Sequence, residues 1–285
     1  MDNSKIDIEP SLWHGKVDLV YAYQHDKTKL INSYSQAPLK IQSPFYPEGE
    51  AICHSVILHT AGGIVGGDRL SQSFHVQENA KTLITTAAAS KIYRTNGKEA
   101  KQSIFVKVDK NAVLELVPQE NIVFNNAVYF QEIKINLAPG ASCFGWEITR
   151  FGRSARGEKF LHGEWRSNTE VWQEGSPIWI DRQWLLGSKE MFDSANALGG
   201  KPLVGTLYWV GQPVSAELVE KARTCWYNHR ETQGEAGVTQ LVNGLLCRYR
   251  GNSITEVKSW FIDVWNLLRL NYLSIPANKL RVWQL

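Results

Sequence analysis

From residue 15 to about residue 210 apolar and polar residues alternate with a period of two, in one short segment after another. Alternation places every second side chain on the same face of a strand, so each segment predicts a strand with one buried face. The segments are 17–23, 29–35, 51–58, 70–77, 81–86, 102–108, 113–117, 128–137, 142–150, 159–165, 169–172 and 178–185. In the sixth, Ile104, Val106 and Val108 share a face. Pro47-Glu48-Gly49, Asn96-Gly97, Pro139-Gly140 and Glu174-Gly175-Ser176-Pro177 supply turns between segments. Short strands at this spacing predict an all-β sandwich, barrel or solenoid. No strict sequence repeat is present, so a regular consensus solenoid is not indicated.

The period changes in the last quarter. Leu218, Ala222, Cys225 and Trp226 fall on one helical stripe between residues 213 and 231. Ser253-Ile254-Thr255-Glu256 matches a capping box, in which the Ser and Glu side chains satisfy the first free N–H groups of a helix. Val257, Phe261, Val264 and Leu268 follow at helical spacing, widened by Trp260 and Leu267. The pattern predicts two amphipathic helices, within 213–231 and 253–272, with a hairpin at 238–250 between them. Residues 273–285 form a tail, and the whole of 1–285 reads as one domain. The Trp-rich helical faces read as core rather than docking surface.

Composition narrows the function classes. The net charge of +3 is too small, and too evenly spread, to mark a nucleic-acid binder. Cys53, Cys143, Cys225 and Cys247 are scattered, with no Cys-x-x-Cys pair, which argues for reduced, packed thiols over a disulfide framework or zinc site. The polar start, Met1 to Asp7, contains no signal-like apolar run, and no apolar stretch is long enough to span a bilayer. A soluble, cytosolic protein without membrane partners is expected.

The most distinctive segment is His59-Thr60-Ala61-Gly62-Gly63-Ile64-Val65-Gly66-Gly67-Asp68. Its doubled glycines permit unusual backbone angles and close approach. It lacks the terminal Gly-Lys-Ser/Thr of a phosphate loop, and a strand rather than a helix follows it. It is either a structural turn or a loop presenting His59 and Asp68, and the residues leave both readings open. His14, His25, His54, His59, His75, His162 and His229 form no His-x-x-x-His or His-Glu-x-x-His pattern, so no tight preformed metal site is visible. Gly152-Arg153-Ser154-Ala155-Arg156-Gly157-Glu158 predicts a tight loop whose arginines suit carboxylates or an acidic partner, or else a solvated turn. No Gly-x-Ser-x-Gly elbow marks a hydrolase. The 11 Trp residues could suggest a cytosolic glycan-binding or glycan-processing protein, but most lie within apolar alternation.

Four blocks, in order, resemble the UreD (UreH) family of urease accessory proteins. They are 59–68, then Thr85-Thr86-Ala87-Ala88-Ala89-Ser90-Lys91-Ile92-Tyr93-Arg94, then Leu116-Val117-Pro118-Gln119-Glu120, then 152–158. The ending Arg281-Val282-Trp283-Gln284 fits as well. Ala87 stands where the family's second block is expected to have Gln, and Leu280 where Pro usually precedes the terminal Arg. The resemblance implies an irregular β-helix-like stack of strands with two C-terminal helices. It also implies a non-enzymatic scaffold that binds urease apoprotein and UreF, and through UreF the GTPase UreG, to deliver nickel. Such a scaffold holds no tightly bound cofactor, because an ion held tightly could not be passed on. Nickel accepts imidazole and oxygen ligands, so His59 and Asp68 are the candidate transient ligands. Gly62, Gly63, Gly66, Gly67, Lys91, Tyr93, Arg94, Arg153, Arg156, Glu158, Arg281 and Trp283 are the candidate partner-binding or loop residues.

Overall fold

In the computed structural model, residues 13–228, 233–278 and 280–284 are described, without the side chains of Arg281 and Gln284. His229 and the expected helical residues 229–231 lie outside them, as does the Arg281 side chain. The strands in chain order are β1 (His14–Gln24), β2 (Lys27–Gln36), β3 (Leu39–Ile41), β4 (Ile52–His59), β5 (Arg69–Val76), β6 (Lys81–Thr86), β7 (Ser90–Ile92), β8 (Ala100–Val108) and β9 (Val113–Leu116). They continue with β10 (Asn121–Val123), β11 (Ala127–Leu137), β12 (Ser142–Phe151), β13 (Gly163–Gln173), β14 (Ser176–Leu186), β15 (Leu203–Val210), β16 (Glu235–Leu241) and β17 (Gly244–Gly251). The helices are α1 (Lys189–Asp193), α2 (Ala216–Tyr227) and α3 (Ile254–Tyr272).

The chain winds as a coil between two sheets. A 7-stranded sheet runs in the order β14-β13-β11-β8-β5-β1-β2, and a 10-stranded sheet contains β16-β17-β15-β12-β9-β6-β4-β3. From β1 the chain crosses to β4, back to β5, over to β6, and so on to β13, so each circuit adds a strand to each sheet. Neighbouring coil strands are therefore parallel, as β5 with β8 and β6 with β9. Antiparallel strands close both ends: β2 and β3 at the start, β14 and β15 at the finish. Such caps protect the open edges of a stack. The expected β-helix-like stack is thus present, although no sequence repeat announces it.

Alternation is clearest where one face of a strand is buried. Along β11, Ala127, Tyr129, Gln131, Ile133, Ile135 and Leu137 point inward and are buried, with half-buried or exposed residues between them. The apolar ones meet Cys53, Ile57, Ile84, Leu114 and Leu116 of the opposite sheet in a core between the layers. A second core lies on the outer face of the larger sheet, beneath α2 and α3. There Phe144, Trp146 and Leu207 pack against Leu218, Ala222, Trp260, Phe261 and Trp265. Strand β12, buried on both faces, accordingly reads as a nearly continuous apolar run. These Trp rings are core, as the alternation predicts.

Most predicted elements fall where expected, with four differences, the first being β15 (Leu203–Val210), which lies in the β-rich stretch but beyond the last predicted segment, 178–185. Residues 159–165 and 169–172 do not form two strands: 163–173 is the single strand β13, and 159–161 is loop. The short helix α1 was not expected from the pattern; Ser188 caps it by accepting a hydrogen bond from Met191 N–H. Strands β3, β7 and β10 are too short to show a period. Ser253 caps α3 as the sequence predicts, accepting from Glu256 N–H, but the Glu256 carboxylate accepts from Gln233 N–H, Gly234 N–H and Tyr249 O–H rather than closing the box. Ser215, not predicted as a cap, accepts from Leu218 N–H at the start of α2. The hairpin expected at 238–250 is β16–β17, and it extends the larger sheet.

Helix α3 is fastened to the coil by a buried ion cluster. Arg269 donates from Nε and Nη2 to the two oxygens of Glu115 on β9, at 2.8 and 2.6 Å. It also donates to Glu48, and Trp265 Nε1–H donates to Glu115 at 2.7 Å. Burial acts to discharge the guanidinium, but the Glu115 and Glu48 carboxylates outweigh it and hold its pKa above the ordinary value.

Candidate functional site

The four sequence blocks occupy equivalent corners of successive circuits, where the chain leaves the larger sheet for the smaller. Ile64, in the first corner, pairs in parallel with Ile92 of β7. Ile92 pairs with Val123 of β10, which pairs with Phe151 of β12. All four side chains are buried, forming a short third ladder along one edge of the coil. The blocks are remote in sequence and adjacent in space.

Two glycines are required by this stacking. A Cβ on Gly63 would lie 2.6 Å from Lys91 O and 2.3 Å from Tyr93 Cε2, and one on Gly66 would lie 2.6 Å from Lys98 O. The first corner thus lies directly on the second, at distances no side chain allows. Gly67 takes the left-handed conformation, φ 99°. Nothing lies near a Cβ on Gly62, which faces open space.

Asp68 closes the first turn. It is buried, and its Oδ2 accepts from Val65 N–H at 2.9 Å. His59 ends β4 nearby, with Nε2 buried and without a hydrogen-bond partner. Burial lowers its pKa, opposed by the Asp68 charge. Among the described residues no group of three or more His, Cys, Asp or Glu side chains could hold a metal ion. The turn and the loop readings of this segment therefore describe different atoms: one carboxylate oxygen of Asp68 stabilises the turn, while the imidazole Nε2 is unengaged.

The other candidates divide in two. Tyr93 O–H donates to Gly62 O at 3.2 Å, and its ring meets Phe124 edge-on. Arg153 lies over the Phe124 ring and donates to Glu158 through Nε at 2.7 Å, while Glu158 also accepts from Asn125 N–H at 2.9 Å. These residues brace the corners against one another. Trp283 belongs to the helical core, its ring 5.5 Å from that of Trp146 and its N–H on Thr85 Oγ1 at 3.1 Å. Leu280 is buried in the same core. Lys91, Arg94 and Arg156 are exposed.

Behind the corner edge, between the sheets, lies a cavity of about 330 Å³ lined by His59, Gly62, Gly63, Gln72, Ala87, Ser90 and Gln102 among others. Ala87 is small where the family resemblance leads one to expect Gln, and it leaves this space open. A narrower cavity of about 40 Å³ adjoins it, sharing Ile57, Gln72, Thr86, Ser90 and Gln102, and reaches Glu147.

Glu147 is the functional candidate that pattern reading overlooked. Its carboxylate accepts from Gln131 Nε2 at 2.9 Å, Ser167 Oγ at 2.8 Å and Thr169 Oγ1 at 2.9 Å. It is half-buried and lines the narrower cavity. Burial raises its pKa; the Ser167 and Thr169 hydrogen bonds oppose that, and nearby Asp181 adds to it. Asp181 is itself held by Arg248 at 2.5 Å and Gln183 at 2.9 Å. Toward the other end, Tyr129 O–H donates to Gln102 at 2.7 Å. A line of oxygen and amide groups thus crosses the otherwise apolar interior. The signal was available: a carboxylate in Cys143-Phe144-Gly145-Trp146-Glu147-Ile148, a strand apolar on both faces, needs a reason.

The fold and the site define a coil-stacked β protein with its motif loops on one edge and with His59 and Glu147 lining the cavities inside. The family model described as UreD urease accessory protein matches residues 14–284. A urease accessory protein UreD of Nostoc punctiforme is 60% identical over 272 residues, covering 95% of this chain and 96% of the relative. One from Acaryochloris marina is 51% identical, covering 96% of each, and one from Synechocystis sp. is 38% identical over 90% of this chain and 96% of its own length. The chain belongs to the UreD family of urease accessory proteins.

Proposed function

We propose that this chain is a cytoplasmic nickel-delivery scaffold, without enzymatic activity of its own. It binds urease apoprotein and bridges it to UreF, and through UreF to the GTPase UreG. The observation that supports this reading most is the line of donors running inside the coil from His59 to Glu147. Imidazole, hydroxyl and amide groups suit nickel as a passing ligand set. Among the described residues no three His, Cys, Asp or Glu side chains are grouped so as to retain the ion, which fits a protein that hands its cargo on. No described helix is long and apolar enough to cross a membrane, which accords with a soluble assembly.

The test is reconstitution from purified urease apoprotein, UreF, UreG, GTP and nickel, with and without this chain. Co-elution with UreF and urease, and urease activity that depends on the chain, are expected. Glu147→Ala should still co-elute but activate less. Activation independent of the chain, or failure to co-elute with either partner, overturns the reading.

A further inference from the structure

The outer side of the corner edge carries a second, separate site. An open pocket of about 590 Å³ lies over the third ladder, with Lys91, Arg150, Arg153 and Arg156 around it and the Tyr93 and Phe124 rings in its wall. The first residue of α3, Ile254, closes one side.

Arg150 is the informative member. It is 8% exposed, yet among the described residues it forms no ion pair. Its one hydrogen bond runs from Nη2 to the Asn252 carbonyl oxygen at 2.7 Å. Glu120, whose charge reaches it, is bound instead to Lys258 at 2.7 Å. A buried guanidinium without a counter-ion is costly, and folded chains leave one only where something else neutralises it. Lys91 and Arg156 at the rim also have no partner among the described residues, whereas Arg153 is paired with Glu158. The pocket therefore holds a surplus of positive charge beside an apolar wall.

We infer that this pocket takes a carboxylate-bearing, partly apolar segment of a partner protein. A carboxylate on Arg150 completes its fork, Lys91 and Arg156 receive flanking acids, and the Tyr93–Phe124 wall accommodates an apolar neighbour. A nucleotide is the poorer occupant, because no glycine-rich loop followed by Lys-Ser/Thr borders the pocket.

The full chain would be titrated with a fluorescein-labelled hexapeptide of alternating Glu and Leu, and with its Gln-for-Glu counterpart. The Glu peptide should bind and the Gln peptide should not. Arg156→Glu and Lys91→Glu, both at the exposed rim, should each weaken binding about tenfold or more, the worth of a lost charge-assisted contact. Lys110→Glu, on another surface, should leave it unchanged. Arg150→Gln, checked by circular dichroism for retained fold, should abolish it. Equal binding of both peptides, or an equal loss in Lys110→Glu, overturns the inference. So does tight binding of GTP or pyrophosphate that Arg150→Gln abolishes, since the pocket would then be a phosphate site.

Discussion

At the residue scale, Glu147 and Asp68 do opposite things. Glu147 is a carboxyl whose pKa burial raises above its ordinary 4.5. The folded state thus binds its proton more tightly than the unfolded chain, so stability falls as pH rises from about 4.5 through the raised value. Glu147→Gln removes that dependence while keeping one acceptor oxygen, which can take the place of the Oε2 that Ser167 and Gln131 share, with the amide NH2 then facing the Thr169 hydroxyl oxygen. Its Tm should lose part of the wild-type decline above pH 4.5 and lie at or above wild type at neutral pH. A Tm profile parallel to wild type would show that Glu147 titrates normally. Asp68 instead works as a turn acceptor. Asp68→Ala should cost about 1–3 kcal/mol in denaturant unfolding by leaving Val65 N–H unpaired, and Asp68→Asn much less. If Asp68→Asn folds normally but fails to support nickel delivery, its charge is what delivery uses. His59→Ala should cost little stability, because Nε2 makes no hydrogen bond and what is lost is the single contact of the imidazole with the Ala61 backbone.

At the scale of elements, stability depends on how corners and helices meet the coil. Gly63→Ala puts a methyl 2.6 Å from the Lys91 carbonyl oxygen, and Tyr93→Ala removes only the other contact, so the double variant should recover only part of the lost stability. Full recovery would show that the ring alone sets the spacing. Arg269→Met strands Glu115 and Glu48 inside, and breaking such a buried pair costs about 3–5 kcal/mol, readable in denaturant unfolding. The same elements show what the chain discloses. Periods of two and 3.6 mark β11 and α3 directly, because burial on one face writes itself into the order of residues. The pairings of Ile64 with Ile92 and of Ile92 with Val123 are invisible, because each joins residues about thirty positions apart and β7 and β10 are too short for a period. Glycines hinted at close approach in the first corner, but not at what approached. The Glu147 network depends on Gln131, Ser167 and Thr169 arriving from other strands, which no local pattern encodes.

At the scale of the whole molecule, the two long helices α2 and α3 cover the outer face of the larger sheet and strands make up most of the rest, so a far-UV spectrum dominated by strand is expected. The isolated chain should also show no GTP turnover when free of UreG, since it has no phosphate loop. The coil has a further consequence at this scale, one of size. Parallel strands stack about 4.8 Å apart, so the rungs at Ile64, Ile92, Val123 and Phe151 span only about 15 Å. An α-helix of about ten residues has that length. Family signatures dispersed over nearly a hundred positions of chain are thereby compressed into a footprint that one short helix of another protein could read from end to end.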